Sequence, residues 1–489
     1  MNQNVVMTGI AGLDHLLRGG LPARRLYLVQ GDPGVGKTTM ALQFLMEGVK
    51  RNEPVMYVTF SETRAEVDGA AHSHGWSLEN IEIFEFDATQ AALAGERAGT
   101  VFHPAETELS AVTNRVWEAL DRVRPARLVF DSISELRLLA GDALRYRRQL
   151  LDLKSRAAAT GCTTLLIDDR TATRDDLQLQ SLAHGVLSLH RVSSDYGSAR
   201  RRLEIIKLRG VNFRDGLHDF AITTGGIVVF PRLVAADHPQ IERGVLASDV
   251  PGLDALVGGG LDRGSGTLLI GPAGVGKSTV ALKFVLSAAE RGERSVVYSF
   301  DESLEMLRSR AAGLGMDVSR HEAAGTISLE PIDAAHVTPG QFASDMRRRV
   351  EEEGVRVVVI DSLNGYLNAM SVEKQLILHL HELLAYASAR GVAVLMVISQ
   401  HGIMGTHMQQ PVDASYLADT VILFRYYEFR GEMRQAVSAF KRRGGAHERT
   451  IRDLTLGPPG GIHIGEALRN FRGIMSGTPT FDQDSGRKE

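Results

Sequence analysis

A single cysteine, Cys162, stands among 489 residues, which excludes an internal disulfide framework. It falls in an apolar, strand-like run and reads as a small core residue. No apolar run reaches the ~18 residues that a membrane-spanning helix needs, and the start, Met1-Asn2-Gln3-Asn4, lacks the charged-then-apolar pattern of a leader peptide. The chain therefore reads as cytoplasmic. Charge of one sign is also scarce. Lys and Arg number 55 against 59 Asp and Glu, a net charge of −4, so there is no global basic footprint for nucleic acid. Trp76 and an aromatic-poor remainder offer no stacking platform for single strands. His72, His74, His401 and His407 lack the Cys/His spacing of a metal site and read as loop or helix histidines. The runs Arg347-Arg348-Arg349 and Arg200-Arg201-Arg202 read as salt-bridged surface.

What is present is a long, ordinary globular composition, 44% hydrophobic and 23% charged, and one organising stretch. Gly31-Asp32-Pro33-Gly34-Val35-Gly36-Lys37-Thr38 fits G-x-x-x-x-G-K-[ST], the phosphate-binding P-loop. The apolar run Leu26–Gln30 precedes it and an amphipathic helical run, Thr39–Leu45, follows, which is the strand–loop–helix context the motif requires. Glycines let backbone N–H groups curl around phosphate oxygens, and the helix N-terminus adds partial positive charge. In that setting Lys37 reaches the β/γ-phosphates and Thr38 holds Mg²⁺.

The motif recurs as Gly271-Pro272-Ala273-Gly274-Val275-Gly276-Lys277-Ser278, a shift of 240 (271 − 31). The same shift relates Gly12-Leu13-Asp14 to Gly252-Leu253-Asp254, Gly19-Gly20-Leu21 to Gly259-Gly260-Leu261, and Phe60-Ser61-Glu62 to Phe300-Asp301-Glu302. A repeat this long is a duplicated domain. Expected are domains over 1–236 and 237–475 and a flexible tail over 476–489, with the linker in 234–247.

Along the first half, Gly12-Leu13-Asp14 and Arg18–Pro22 read as turns, Val55–Phe60 as a strand and 65–74 as a helix. A strand over 81–86, a loop over 88–108 and a helix over 109–123 follow. Ala126–Asp131 is an apolar run ending in an acid, the Walker B pattern, which places Asp131 on Mg²⁺ through Thr38. A helix over 143–159 and strands over 163–167, 185–190 and 202–207 complete the domain. The second half repeats this order, with Val355–Ile360 ending in Asp361 and Val392–Ile398 in Ser399-Gln400. Strands alternating with helices predict an α/β fold: two tandem RecA-like P-loop NTPase domains, each a mostly parallel sheet flanked by helices.

With these pieces placed, essentially the whole chain resembles the KaiC family of two-domain RecA-type ATPases. The resemblance is carried by the two P-loops, both Walker B strands, the Phe60 and Phe300 triplets, Arg202–Gly210, Glu428–Met433, Phe440–Gly444 and Asn470–Thr480. It implies ATP and Mg²⁺ as cofactors and a homohexamer of double rings with ATP at subunit interfaces. It also implies an ATPase in the first domain, a serine/threonine autokinase in the second, a circadian-type or signalling role and a KaiB-like or signalling partner. The ATP contacts it implies are residues 31–38 with Thr39 and Ser73, and Lys207, Leu208 and Arg209 reaching a neighbour. In the second domain they are residues 271–278 with Thr279, and Lys441, Arg442, Arg443 and His447. Mg²⁺ falls to Thr38, Asp131, Ser278, Asp301 and Asp361. Catalysis falls to Lys37, Glu62, Lys277, Asp301 and Glu302.

The copies depart from the family pattern in informative places. Ser61-Glu62 replaces a glutamate pair, which leaves Glu62 to polarise the attacking water. Asp301, the matched general base, is one methylene shorter. Phe213 replaces a histidine that His447 keeps. The phosphorylated Ser-Thr pair falls on Ser415-Tyr416, and the tail after Thr480 is short. Two rival readings remain: a RecA-type DNA-dependent ATPase, and a ring scaffold that ATP merely glues together.

Overall fold

The computed structural model describes residues 4–86, 104–140, 142–169, 178–193, 197–233, 244–368, 373–400, 415–474 and 479–481. It divides into two compact units, Met1–Arg232 and Leu233–Glu489. Among the described residues each unit is built on a nine-stranded sheet. In the first, the spatial order is Gly226–Phe230, Leu217–Thr223, Arg200–Leu208, Gly185–Val192, Leu26–Gly31, Thr163–Asp169, Arg127–Asp131, Val55–Thr59 and Glu82–Glu85. The six strands from Gly185–Val192 to Glu82–Glu85 run parallel. The remaining three extend the sheet antiparallel. The second unit repeats this with Ile327–Pro331, Arg294–Ser299, Val355–Asp361, Ala393–Ser399, Gly266–Gly271, Thr420–Phe429, Glu432–Arg442, Arg452–Gly457 and Gly461–Ala467.

The central strands are parallel because they are apolar on both faces. Leu26–Gly31, Val55–Thr59 and Arg127–Asp131 are buried along their whole length, as strands sandwiched between helices must be. The period of two divides each strand between two cores. Tyr27 and Val29 join the core that holds Phe44 and Leu45 of the P-loop helix. Leu26 and Leu28 face the opposite core, with Trp117, Tyr146 and Leu150. In the second unit Leu269 and Leu268 part company in the same way.

Several expectations shift. Gly12-Leu13-Asp14 lies not in a turn but in the short helix Ala11–Leu16. The Asp14 carboxylate organises its start by accepting from the Thr8 amide at 2.7 Å and the Thr8 hydroxyl at 2.8 Å. Pro22 belongs to the two-residue strand Leu21–Pro22. The strands Leu217–Thr223 and Gly226–Phe230 were not foreseen. The helix expected over 109–123 begins at Pro104. Most of the loop read over 88–108, the start of the linker, His401, His407 and most of the tail lie outside the described residues. Cys162 is buried, as its neighbours required. Arg348 and Arg349 are ion-paired to Asp345, Glu353 and, for Arg349, Glu330. Among the described residues no helix is long and apolar enough to cross a membrane.

Candidate nucleotide sites

Each P-loop joins the C-terminal end of a central strand to a fourteen-residue helix, Lys37–Lys50 or Lys277–Glu290. Gly36 and Gly276 stand at the helix N-caps with φ of +111° and +101°, a region that favours glycine. A Cβ on Gly36 would come within 2.7 Å of Ile222. Neither P-loop helix has a side-chain cap or an acid in its first turn. By contrast, Thr63, Asp142, Ser303, Asp317 and Thr338 cap other helices. The leading N–H groups of the P-loop helices are therefore left for an anion, which fits the phosphates that the motif implies.

The strand order sets the rest of the site. Thr163–Asp169 lies between the P-loop strand and the Walker B strand, and Val55–Thr59 lies beyond the latter. Their C-terminal ends align Gly31 with Asp169 and Thr59 with Asp131. Ligands of parallel sheets bind at this edge. Lys37 is folded over its own loop, its Nζ donating to the carbonyls of Gly31 (2.8 Å) and Asp32 (2.9 Å). Asp131 accepts from the Thr38 hydroxyl at 2.8 Å and from the Tyr57 hydroxyl at 2.6 Å. Burial nevertheless pushes the Asp131 carboxyl above the usual carboxylate range. Glu62 follows the neighbouring strand, and the Thr59 hydroxyl both accepts from its amide and donates to its carbonyl. Burial and then the negative charge of Asp131 also raise the Glu62 carboxyl. No basic side chain among the described residues pairs with it.

The second site has the same frame and different partners. Lys277 Nζ donates to the Pro272 carbonyl at 2.6 Å, and burial pulls its ammonium down to about 8. Ser278 bonds Asp361, which burial raises. Asp301 accepts from the Ser362 hydroxyl. Glu302 is held by a two-pronged ion pair with Arg310, at 2.8 and 3.1 Å, and Arg310 also donates to Thr279 at 3.1 Å. These groups line an open cleft of about 700 Å³ with Ser399 and Leu456. The bonds from Asp131 to Ser132 and from Asp361 to Ser362 are both cis.

Lys37, Thr38, Glu62 and Asp131 thus converge, as do Lys277, Ser278, Asp301, Glu302 and Asp361. Ser73 does not reach the loop: it is exposed and bonds the Ala70 carbonyl. The adjacent His74 instead contacts Thr39 at 3.3 Å. The basic residues lie at the other end of the sheet. Leu208 pairs with Gly185, at the start of the strand whose Leu189 lies opposite Gly31. At about 3.3 Å per residue, that separates Lys207 and Arg209 from their own P-loop by roughly 13–17 Å. Lys207 bonds the Gln180 carbonyl and Arg209 the Ser181 carbonyl. In the second unit Lys441 donates to the carbonyls of Ser415 and Ala418, and Arg443 to that of Tyr416. Arg442 ties down Val257, Gly258 and Asp262. His447 is half-buried.

Sequence reasoning missed Tyr57, Asp169 and Arg310. The 240-residue shift could have exposed the last, because it pairs Arg310 with Ala70.

The family described as “ATPase: KaiC” matches the chain twice, over residues 6–234 and 246–469. The chain is 31% identical to the circadian clock oscillator protein KaiC of Parathermosynechococcus lividus, over 97% of this chain and 87% of that one. It is 30% identical to the protein of the same name from Synechococcus elongatus, over 97% and 91%. The corresponding protein of Picosynechococcus sp. is 29% identical over 97% and 92%. Two matched P-loop units and relatives aligned from end to end agree: the chain belongs to the KaiC family of ATPases.

Proposed function

We propose that this chain assembles into a homohexameric double ring, hydrolyses ATP in its first domain and phosphorylates itself on Ser415 in its second, and so acts as a circadian-type or signalling regulator with a KaiB-like or signalling partner. One observation carries the reading. The turn bearing Ser415 and Tyr416 is tied by Lys441 and Arg443 to the far end of the sheet from its own P-loop. A hydroxyl there faces phosphates only if a neighbouring subunit brings them. Tyr416 is 49% exposed, and its longer, planar side chain makes it the lesser phosphate acceptor.

ATP with Mg²⁺ at the P-loops would supply the transferable phosphoryl group and the cation that neutralises its oxygens. The chain does the rest. The loop amides with Lys37 or Lys277 bind phosphate, and Thr38 with Asp131, or Ser278 with Asp361, hold the cation. Glu62, unpaired and raised, takes the proton of the attacking water. In the second domain Arg310 keeps Glu302 from that task. Asp301 accepts the hydroxyl proton of a neighbour's Ser415 as its oxygen bonds to phosphorus and the bond to ADP breaks. The same division explains why hydrolysis belongs to the first domain and transfer to the second. The acidic balance gives no support to a DNA-dependent ATPase.

The test is incubation of the purified chain with Mg-ATP, then intact mass and peptide mapping. One phosphate is expected on Ser415, lost in both Ser415→Ala and Lys277→Ala. A hexamer that releases ADP and gains no phosphate would remove the kinase half of the reading.

A further inference from the structure

The geometry points to Asp169 as a built-in counter-ion of the first P-loop lysine, an internal anion that nucleotide phosphates must displace and that makes domain one the weaker-binding of the two sites. Asp169 closes the strand Thr163–Asp169, in register with Gly31 of the P-loop strand. Its Oδ1 lies 2.6 Å from Lys37 Nζ, and the lysine side chain is only 6% exposed. An ammonium has three donors. With Gly31 and Asp32 carbonyls as the other two acceptors, the chain itself supplies partners for all three.

The second domain repeats the strand, the register and the lysine without the carboxylate. Ser399 stands opposite Gly271, where Asp169 stands opposite Gly31, and Ser399 lines the cleft. Among the described residues no carboxylate lies within ion-pair distance of Lys277. Two effects therefore act against an anionic ligand in domain one alone. The lysine must be shared or surrendered by Asp169. Once it turns to phosphate, Asp169 remains as a like charge beside the ligand, in a neighbourhood that Asp131 and Glu62 already make negative. Partial shielding from water strengthens both effects relative to a surface pair.

This inference rests on the reading that the P-loops take nucleotide phosphates, and the test separates the two. The full chain carrying Lys277→Ala, so that binding reports on domain one, is titrated with a fluorescent ATP analogue and Mg²⁺, with and without Asp169→Asn. The asparagine variant is expected to bind about tenfold tighter, equivalent to ~1.4 kcal/mol. The reciprocal change, Ser399→Asp in a chain carrying Lys37→Ala, is expected to weaken domain-two binding about tenfold. Equal or weaker binding by Asp169→Asn overturns the inference. Should that variant fail to fold, unchanged affinity in Ser399→Asp overturns it instead. A wild-type chain that binds no nucleotide refutes the underlying reading.

Discussion

Glu62 and Glu302 hold equivalent places after equivalent strands, yet one carboxylate stands without a cation and the other is gripped by Arg310. A base must be free to take a proton, and a carboxylate locked in a two-pronged ion pair is held in its acceptor role. Domain one compensates for the lost partner at Ser61 by leaving its remaining acid unpaired and raised. Glu62→Gln in a chain carrying Lys277→Ala is therefore expected to cut ATP hydrolysis by roughly 10²-fold or more while nucleotide is still retained. A loss below tenfold would hand the water to another group. Asp169 shows why the residue scale was only partly legible. Two consecutive acids at a strand end read as a solvated terminus. Their meaning lies in the register that sets the second of them opposite Gly31, and register is a relation between strands that no local pattern carries.

At the scale of elements, the strand–loop–helix of each P-loop was readable because its glycines stand at fixed spacing for a local backbone reason. The antiparallel extension was not. Leu217–Thr223 mixes His218, Asp219 and Thr223 with its apolar residues, and its burial comes from pairing with Arg200–Leu208 and Gly226–Phe230, both distant from any motif. That extension makes unit one acid-sensitive. His218 is 2% exposed, and its Nδ1 accepts from the Arg232 amide at 3.2 Å. Burial first, and then Arg232 and Arg214, push its imidazole below the ordinary histidine range, against a weaker opposite pull from the Arg214 carbonyl and Asp219. A group whose folded value is depressed binds its proton more readily when unfolded. The stabilisation is thus complete above pH ~6.5 and is lost as pH falls below it, at up to ~1.4 kcal/mol per pH unit. Thermal unfolding of unit one between pH 7.5 and 5.5 should show this slope, and His218→Gln should flatten it. An unchanged slope in the variant would assign the acid sensitivity elsewhere, His184 being the next candidate.

At the scale of the whole molecule, the duplication was legible at once from the constant shift between motifs. The inequality of the copies was legible only in part. Ser61 and Tyr416 could be read from the sequence, whereas Asp169 and Arg310 needed the strand ends brought side by side. The polarity of the sheet has a further consequence. One chain carries its P-loop and its basic strand at opposite edges, so the two belong to different interfaces of a ring. Two individually dead proteins should then rescue each other. A chain with Lys37→Ala and a chain with Arg209→Ala, each silent in domain one, should regain hydrolysis when dissociated and reassembled together. With random mixing at equal amounts, about a quarter of the interfaces would unite an intact loop with an intact basic strand. Recovery in the mixture, measured as ADP release, would be genetic complementation written into the direction of a β-strand. Its absence would return both halves of the site to a single chain.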